Sequence, residues 1–200
     1  TEKSFKRWSL LLSFAKTIFK KFDLCIASNK ETEGFLKILG AKNVKNFGNL
    51  KFYQNKANLE YKLNFSFLSK IEKRKIWCAA STHETEEQLC AEAHLKIKKV
   101  YNNVLTIIIP RHIERTKKIS EELSKLNLKV VLYSNFNQID NSTDILIVDS
   151  YGESLKFYNI LKYVFVGKSL VKSLIDSSGQ NPFEPARLGC KIFHGPNVSN

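Results

Sequence analysis

The sequence predicts an α/β protein: a parallel-sheet domain over residues 75–200, preceded by the end of a first α/β domain over 1–52, with 53–74 as a linker. Three observations carry this. From Lys75 onward, apolar runs alternate with stretches of helical period, the rhythm of strand–helix–strand units. The runs are apolar throughout, as strands covered on both faces are, Val104 to Ile109 most clearly. Polar residues and Gly or Pro gather where the runs end. The composition is globular, with 43% hydrophobic and 26% charged residues, 8 Gly and 4 Pro in 200. That excludes collagen-like, disordered and disulfide-scaffold classes.

Residues 4 to 21 read as one helix, because Phe5, Trp8, Leu11, Leu12, Ala15, Ile18 and Phe19 recur at three- and four-residue spacing. It reads as a core helix or as a basic amphipathic helix at a bilayer surface, with Phe and Trp at headgroup depth, and both hold if one face packs and its rim touches lipid. Phe22 to Ala27 is a short strand. Ser28 or Asn29 caps the next helix, Glu31 and Glu33 suit its first turn, and Gly40 ends it. Val44 to Phe47 is a second strand and Gly48 to Phe52 a turn. A weak helical pattern (Leu63, Phe67, Leu68) crosses the linker. The second domain then reads as strands at Ile76–Ala80, Val104–Ile109, Lys129–Tyr133, Ile145–Val148, Val164–Val166 and Lys191–His194. Helices fall at Glu84–Val100, Glu114–Leu126, Ser154–Leu161 and Glu184–Leu188.

Charge is uneven. Residues 1–75 carry 17 Lys/Arg against 6 Asp/Glu, a net of +11, and the remainder carries +2. Compositional bias, an anionic lipid or phosphorylated acceptor, and nucleic acid all explain such a segment. No zinc-finger, RNP-type or helix-turn-helix signature accompanies the charge. Cys25, Cys78, Cys90 and Cys190 are far apart and form no C-x-x-C pair, so free thiols are expected. No apolar run approaches the ~20 residues of a membrane span. The chain reads as an internal piece of a longer protein, since Thr1 sits just ahead of a strong helical pattern and Asn200 ends in a loop.

In open parallel sheets, ligands bind at the carboxyl ends of the strands. The residues expected there are Ser81-Thr82-His83-Glu84, Pro110-Arg111-His112, Tyr151-Gly152-Glu153, Gly167-Lys168-Ser169 and Gly179-Gln180-Asn181-Pro182-Phe183-Glu184-Pro185. Each has a plain structural alternative. Ser81 to Glu84 is foremost a helix N-cap. Arg111 either holds a phosphate or pairs with Glu114. Gly152 lets a ligand approach the backbone, and Glu153 is otherwise a first-turn acid. The amides around Asn181 could cradle a phosphate, and Glu184 could accept from ribose hydroxyls. Otherwise this is a rigid loop. The spacing of His83, His94 and His112 does not suit a metal, and no G-x-G-x-x-G or P-loop occurs.

Taken in order, these segments resemble the 3-deoxy-D-manno-octulosonic acid (Kdo) transferases of lipopolysaccharide assembly. The resemblance starts at Lys3-Ser4-Phe5-Lys6-Arg7-Trp8 and runs through Leu39-Gly40-Ala41 and Gly48-Asn49-Leu50-Lys51-Phe52. It is most specific at Ala79 to Glu84, Ile109 to His112 and Gly179 to Ala186, and it closes at His194-Gly195-Pro196. It implies a GT-B-type glycosyltransferase with Rossmann-like domains, an inverting enzyme taking Kdo from CMP-Kdo to lipid A or its tetraacylated precursor. CMP contacts are implied at Pro110, Arg111, Tyr151, Gly152, Glu153, Asn181, Pro182, Phe183 and Glu184. Arg111 and the helix start at Asn181 to Glu184 would meet the departing phosphate. The catalytic base is expected upstream of Thr1, so no catalytic residue is assigned in this chain. No metal or cofactor is implied, and no nucleic-acid partner. The basic segment then suits an anionic membrane surface, with the whole enzyme on the cytoplasmic face of the bacterial inner membrane, peripheral or anchored by a segment outside this chain. The sequence departs from the family pattern at Gly167-Lys168, where many relatives carry a Gly pair, at Gln180, where many carry His, and in a longer stretch from Ser169 to Asn181. Another GT-B enzyme, a nucleotide-sugar epimerase or a nucleic-acid-binding Rossmann domain are the alternatives.

Overall fold

The structure is a computed structural model that describes residues 2–49, 62–171 and 179–198. Contacts divide the chain into two compact units, residues 1–59 and 60–200.

The first unit holds helices α1 (Glu2–Ser9), α2 (Leu12–Phe19) and α3 (Lys30–Ile38) and strands β1 (Cys25–Ala27) and β2 (Val44–Asn46). β1 and β2 pair in parallel, Cys25 opposite Val44, with α3 as the crossover. The helix expected over 4–21 is two helices. The Ser9 hydroxyl donates back to the Phe5 carbonyl at 2.9 Å, competing with the helical ladder. Leu11 then leaves helical geometry (φ −125°, ψ 52°). Trp8 lies edge-on to Phe19 and Phe5 stacks on Phe35. Asn29 is the cap of α3, its Oδ1 accepting from the Thr32 amide at 2.7 Å. Gly40 follows α3 at φ +99°, and a β-carbon there would stand 3.0 Å from the Lys16 Cα, so α2 packs against a position only glycine fills.

The second unit is a six-stranded parallel sheet: β3 (Lys75–Thr82), β4 (Val104–Pro110), β5 (Val130–Leu132), β6 (Ile145–Ile147), β7 (Tyr163–Val166) and β8 (Lys191–His194). The strand order is β5-β6-β4-β3-β7-β8. From β3 the chain first builds outward through β4, β5 and β6, then returns to the other side of β3 for β7 and β8. The order therefore reverses at β3, the position where such sheets open a crevice. Helices α5 (Glu86–Lys98) and α6 (Thr116–Ser124) cover one face. Helices α4 (Phe65–Ile71), α7 (Ser154–Tyr158) and α8 (Phe183–Arg187) belong with the other.

Side chains of β4 divide between the two cores: Leu105, Ile107 and Ile109 enter one and Ile108 the other. All seven residues of the strand are buried, including Thr106, the one polar side chain among them. Part of the expected linker belongs to this unit. Phe67 is fully buried among the rings of Tyr133, Phe136 and Phe157, with centroids 5.2 to 5.9 Å apart, and Leu63 and Ile71 are buried with it. Burying one Phe and one Ile stabilises by roughly 1.5–3 kcal/mol each, which is why this Lys- and Asn-rich stretch folds back onto the sheet. Residues 53–61 of the expected linker lie outside the described residues, as do residues 50–52 of the expected turn.

The amino edge of the sheet is stapled separately. The Arg74 guanidinium donates to the carbonyls of Asn103, Val104, Asp140 and Thr143 at 2.6 to 3.0 Å. His94, fully buried, contacts Thr106 Oγ1 at 2.8 Å and Asp144 Oδ1 at 3.2 Å. Lys98 pairs with the same carboxylate.

Candidate functional site

Strand ends β3, β4, β6 and β7 share the carboxyl edge of the sheet, and the sequence-predicted residues follow them. β3 carries a bulge there: Ala80 pairs with Ile109 and Thr82 with Pro110, so Ser81 has no partner and takes a left-handed φ of +55°. The expected N-cap at Ser81–Glu84 differs in the structure. α5 begins at Glu86, and Thr85 precedes it at φ +77° with no side-chain cap bond. Lys168, after β7, is also left-handed at φ +58°. Strained non-glycine residues of this kind collect at functional sites, and these three lie on one edge.

Glu86 explains the local geometry. Its carboxylate is fully buried and accepts four amides: His83 at 2.9 Å, Lys168 at 2.7 Å, Ser169 at 2.9 Å and Leu170 at 3.0 Å. Glu87, also buried, accepts from Thr82 Oγ1 at 2.9 Å and from both terminal nitrogens of Arg115 at 3.0 and 3.1 Å. The sequence reading missed both acids. Adjacent acids in a first helical turn read as ordinary dipole partners, and nothing local marks them as buried.

Pro110 ends β4, buried, and the Arg111 amide bonds back to the Thr82 carbonyl at 3.0 Å. The Arg111 side chain is exposed, and among the described residues it pairs with no carboxylate. The expected alternative, an ion pair with Glu114, is not formed: Glu114 accepts the Tyr151 hydroxyl at 2.8 Å. The backbone amide of Glu114 first, and the Tyr151 hydroxyl second, hold the Glu114 carboxyl below its usual range, and the same hydroxyl bond raises the Tyr151 phenol. Arg111 is close enough to Tyr151 to oppose that rise. Gly152 adopts φ +80°. Glu153 stands at the cap position of α7 but accepts from Lys156 at 2.8 Å instead of capping. The rings of His83 and His112 meet edge to face, centroids 5.8 Å apart. Burial is the largest influence on His83 and lowers its pKa, against the opposing pull of the Ser81 carbonyl.

The segment from Asn181 to Glu184 joins this edge through Gly179, whose amide donates to the Lys168 carbonyl at 2.6 Å. It offers fewer amides than the sequence suggested. The Phe183 amide is taken by Asn181 Oδ1 at 3.0 Å, and Pro182 and Pro185 have none. α8 is five residues long, too short for much of a dipole. Glu184 is exposed, and the Arg187 guanidinium lies over the Phe183 ring. Among the described residues, no hydrogen bond or ion pair joins Arg111 to this segment. Residues 172–178 of the longer stretch lie outside the described residues. A groove of about 900 Å³ lies elsewhere, lined by apolar residues including Trp77, Tyr163, Phe165 and Phe193 and by none of the predicted site residues. Among the described residues, no three His, Cys, Asp or Glu side chains cluster as metal ligands, and no helix is long and apolar enough to cross a membrane.

A family model described as 3-deoxy-D-manno-octulosonic-acid transferase (kdotransferase) matches residues 1–54. The chain is 30% identical, over its whole length, to the 3-deoxy-D-manno-octulosonic acid transferase of Rickettsia felis, of which it covers 42%. It is 32% identical over 154 residues to the Haemophilus influenzae protein of the same name, covering 72% of this chain and 35% of that one. The Aquifex aeolicus protein is 31% identical, with 90% of this chain and 46% of that protein covered. The chain therefore spans less than half the length of these curated relatives. Among solved structures, the C-terminal CMP-Kdo binding domain of WaaA from Acinetobacter baumannii is similar with a TM-score of 0.58 at 30% identity, over 67% of this chain and 72% of that one.

Proposed function

The chain belongs to the Kdo transferase family, and from that premise we propose that its sheet unit binds CMP-Kdo and serves a glycosyltransferase that passes Kdo to a sugar hydroxyl in lipopolysaccharide assembly. The observation that carries this reading is the exposed Arg111 guanidinium at the β4 carboxyl end, which pairs with no carboxylate among the described residues, beside the strand-order reversal and among strained loops.

In the proposed step, the acceptor oxygen attacks the anomeric carbon of Kdo. The bond from that carbon to the CMP phosphate oxygen breaks, CMP departs with the electron pair, and configuration inverts. Arg111 faces the charge that grows on the phosphate. A preorganised donor of this type is worth roughly 2.7–4 kcal/mol where one has been removed from an enzyme. Pro110 ends the strand that presents it. Tyr151, Gly152 and Glu153 line the β6 side, where glycine permits close approach to the backbone. Asn181, Pro182 and Phe183 shape the opposite wall, and the Glu184 carboxylate accepts from the ribose hydroxyls. The acceptor proton goes to a carboxylate base lying upstream of Thr1 in the longer protein. Titrating the 200-residue chain with CMP and with UDP tests the reading. CMP binding with no UDP binding supports it; equal affinity, or none for CMP, rejects it.

The acceptor we propose is lipid A or its tetraacylated precursor, and the location the cytoplasmic face of the bacterial inner membrane. Support comes from the +11 charge of residues 1–75, since each Lys or Arg near an anionic surface contributes ~1 kcal/mol. Phe5 is stacked on Phe35, while Trp8, edge-on to Phe19, is still partly exposed, and Leu10 and Leu11 between the two helices and Phe14 on α2 are exposed apolar groups beside it. Co-sedimentation with anionic vesicles that salt reverses, and none with neutral vesicles, is the expected result. Equal binding to both leaves the charge unexplained by membranes.

A further inference from the structure

We infer that Glu86 and Glu87 are positioning residues that set the two halves of the nucleotide site, Glu87 the Arg111 side and Glu86 the Asn181–Glu184 side. The inference rests on the nucleotide reading above. Two adjacent carboxylates, both buried at the start of α5, need explaining. Exposed acids serve a helix N-terminus equally well, and a buried carboxylate is costly unless its oxygens are bonded.

Each acid is spent on a different half of the edge. Glu86 gathers three successive amides, Lys168, Ser169 and Leu170, onto its two oxygens, and the His83 amide as well. Converging amides beside a left-handed residue form an anion-binding concavity. Here the anion is the protein's own side chain. The loop it holds supports the next ones: the Lys168 carbonyl receives the Gly179 amide, at the head of the segment leading to Asn181 and Glu184. Ser169 receives the amides of Gly195 on its hydroxyl, at 2.9 Å, and of Asn197 on its carbonyl, at 3.0 Å.

Glu87 acts on the other side. Its bonds to Thr82 and Arg115 bracket Arg111: Thr82 accepts the Arg111 amide, and the Arg115 amide closes the turn onto the His112 carbonyl at 3.2 Å. The segments after β3, β4 and β7 thus converge on two neighbouring side chains, and the segment after β8 joins them through Ser169. Arg74 staples the opposite edge independently, so cohesion of the sheet does not rest on this pair alone.

The test is equilibrium titration of the 200-residue chain with CMP and with cytidine, which lacks the phosphate, for the wild type, Glu86→Gln and Glu87→Gln, with thermal unfolding to establish folding. Glu87→Gln is expected to weaken CMP about tenfold, the scale of a lost charged hydrogen bond, while cytidine changes less than about twofold. Glu86→Gln is expected to weaken both ligands by about the same tenfold factor. The contrast separates positioning from general destabilisation, which would weaken both ligands equally in both variants. That equal result, or unchanged CMP affinity in either variant, overturns the inference. Absence of CMP binding by the wild type overturns the nucleotide reading, and this inference with it. If a Gln variant does not fold, Glu86→Asp and Arg115→Lys carry the same respective expectations.

Discussion

Gly167 lies so close to Ser81 that a β-carbon on it would stand 2.6 Å from the Ser81 carbonyl oxygen, and 2.8 Å from both the Glu86 carboxylate and the Thr82 Cα. Two of those three neighbours are backbone and the third is a fully bonded carboxylate, so none can yield cheaply. Gly167→Ala is expected to destabilise the chain by about 1–3 kcal/mol, the range for overpacking. The midpoint of urea unfolding measures it, and a midpoint within error of the wild type would contradict the close approach.

One residue on, Lys168 is left-handed where a glycine would be relaxed, and Thr85 is left-handed without a cap bond. A side chain in that region costs roughly 1–2 kcal/mol, and glycine returns part of it as unfolded-state entropy. Lys168→Gly and Thr85→Gly are each expected to stabilise by up to about 1 kcal/mol, read from the same unfolding curves. Destabilisation by both would show that their side chains contribute more than the strain.

The backbone at Gly167-Lys168 thus carries a steric constraint that periodicity could not supply. The parallel sheet was legible because most of its strands are largely apolar runs set between helical stretches, and Lys191–His194 has the expected bounds. Helix α3 was legible because Asn29 and Gly40 mark its ends. What escaped depended on distant contacts. The break at Leu10–Leu11 has no Pro or Gly to announce it. Phe67 looked like part of a polar linker until three rings from later in the chain surrounded it. At the site, strand-end polar residues were visible from topology alone. The acids holding them were not, since Glu86 meets its loop amides more than 80 residues away.

The His94–Asp144 pair sets a pH dependence. Burial is the main influence on His94 and lowers its pKa, partly opposed by Asp144. For Asp144 burial alone would raise the value, but Lys98, the Lys129 amide and His94 together outweigh it and leave it lowered. Both folded-state values lie below the unfolded ones, so the unfolded chain takes up more protons as the pH falls. Stability is therefore expected to fall as the pH drops below about 6.5, the ordinary histidine value. Urea midpoints at pH 5, 6, 7 and 8 measure it, and His94→Gln should flatten the decline between pH 7 and 5. A decline unchanged in the variant would assign it to other groups.

Arg111→Ala is expected to weaken CMP binding by about 1.5–3 kcal/mol, the scale of a hydrogen bond to a charged group, with the unfolding midpoint unchanged because the side chain is exposed. Glu184→Gln should cost less, since it keeps an acceptor oxygen for the ribose. Calorimetric titration of each variant checks both. Full CMP affinity in Arg111→Ala would remove that residue from the phosphate.

Amide chemical-shift mapping of the 200-residue chain titrated with CMP reads out whether the carboxyl edge of the sheet unit is a nucleotide site. Saturable shifts are expected at Arg111, Gly152, Asn181, Phe183 and Glu184, with the amides of Lys168 to Leu170 following because Glu86 couples them to that edge. Shifts confined to the apolar groove around Trp77 and Phe193, or no saturable shifts at all, would contradict it.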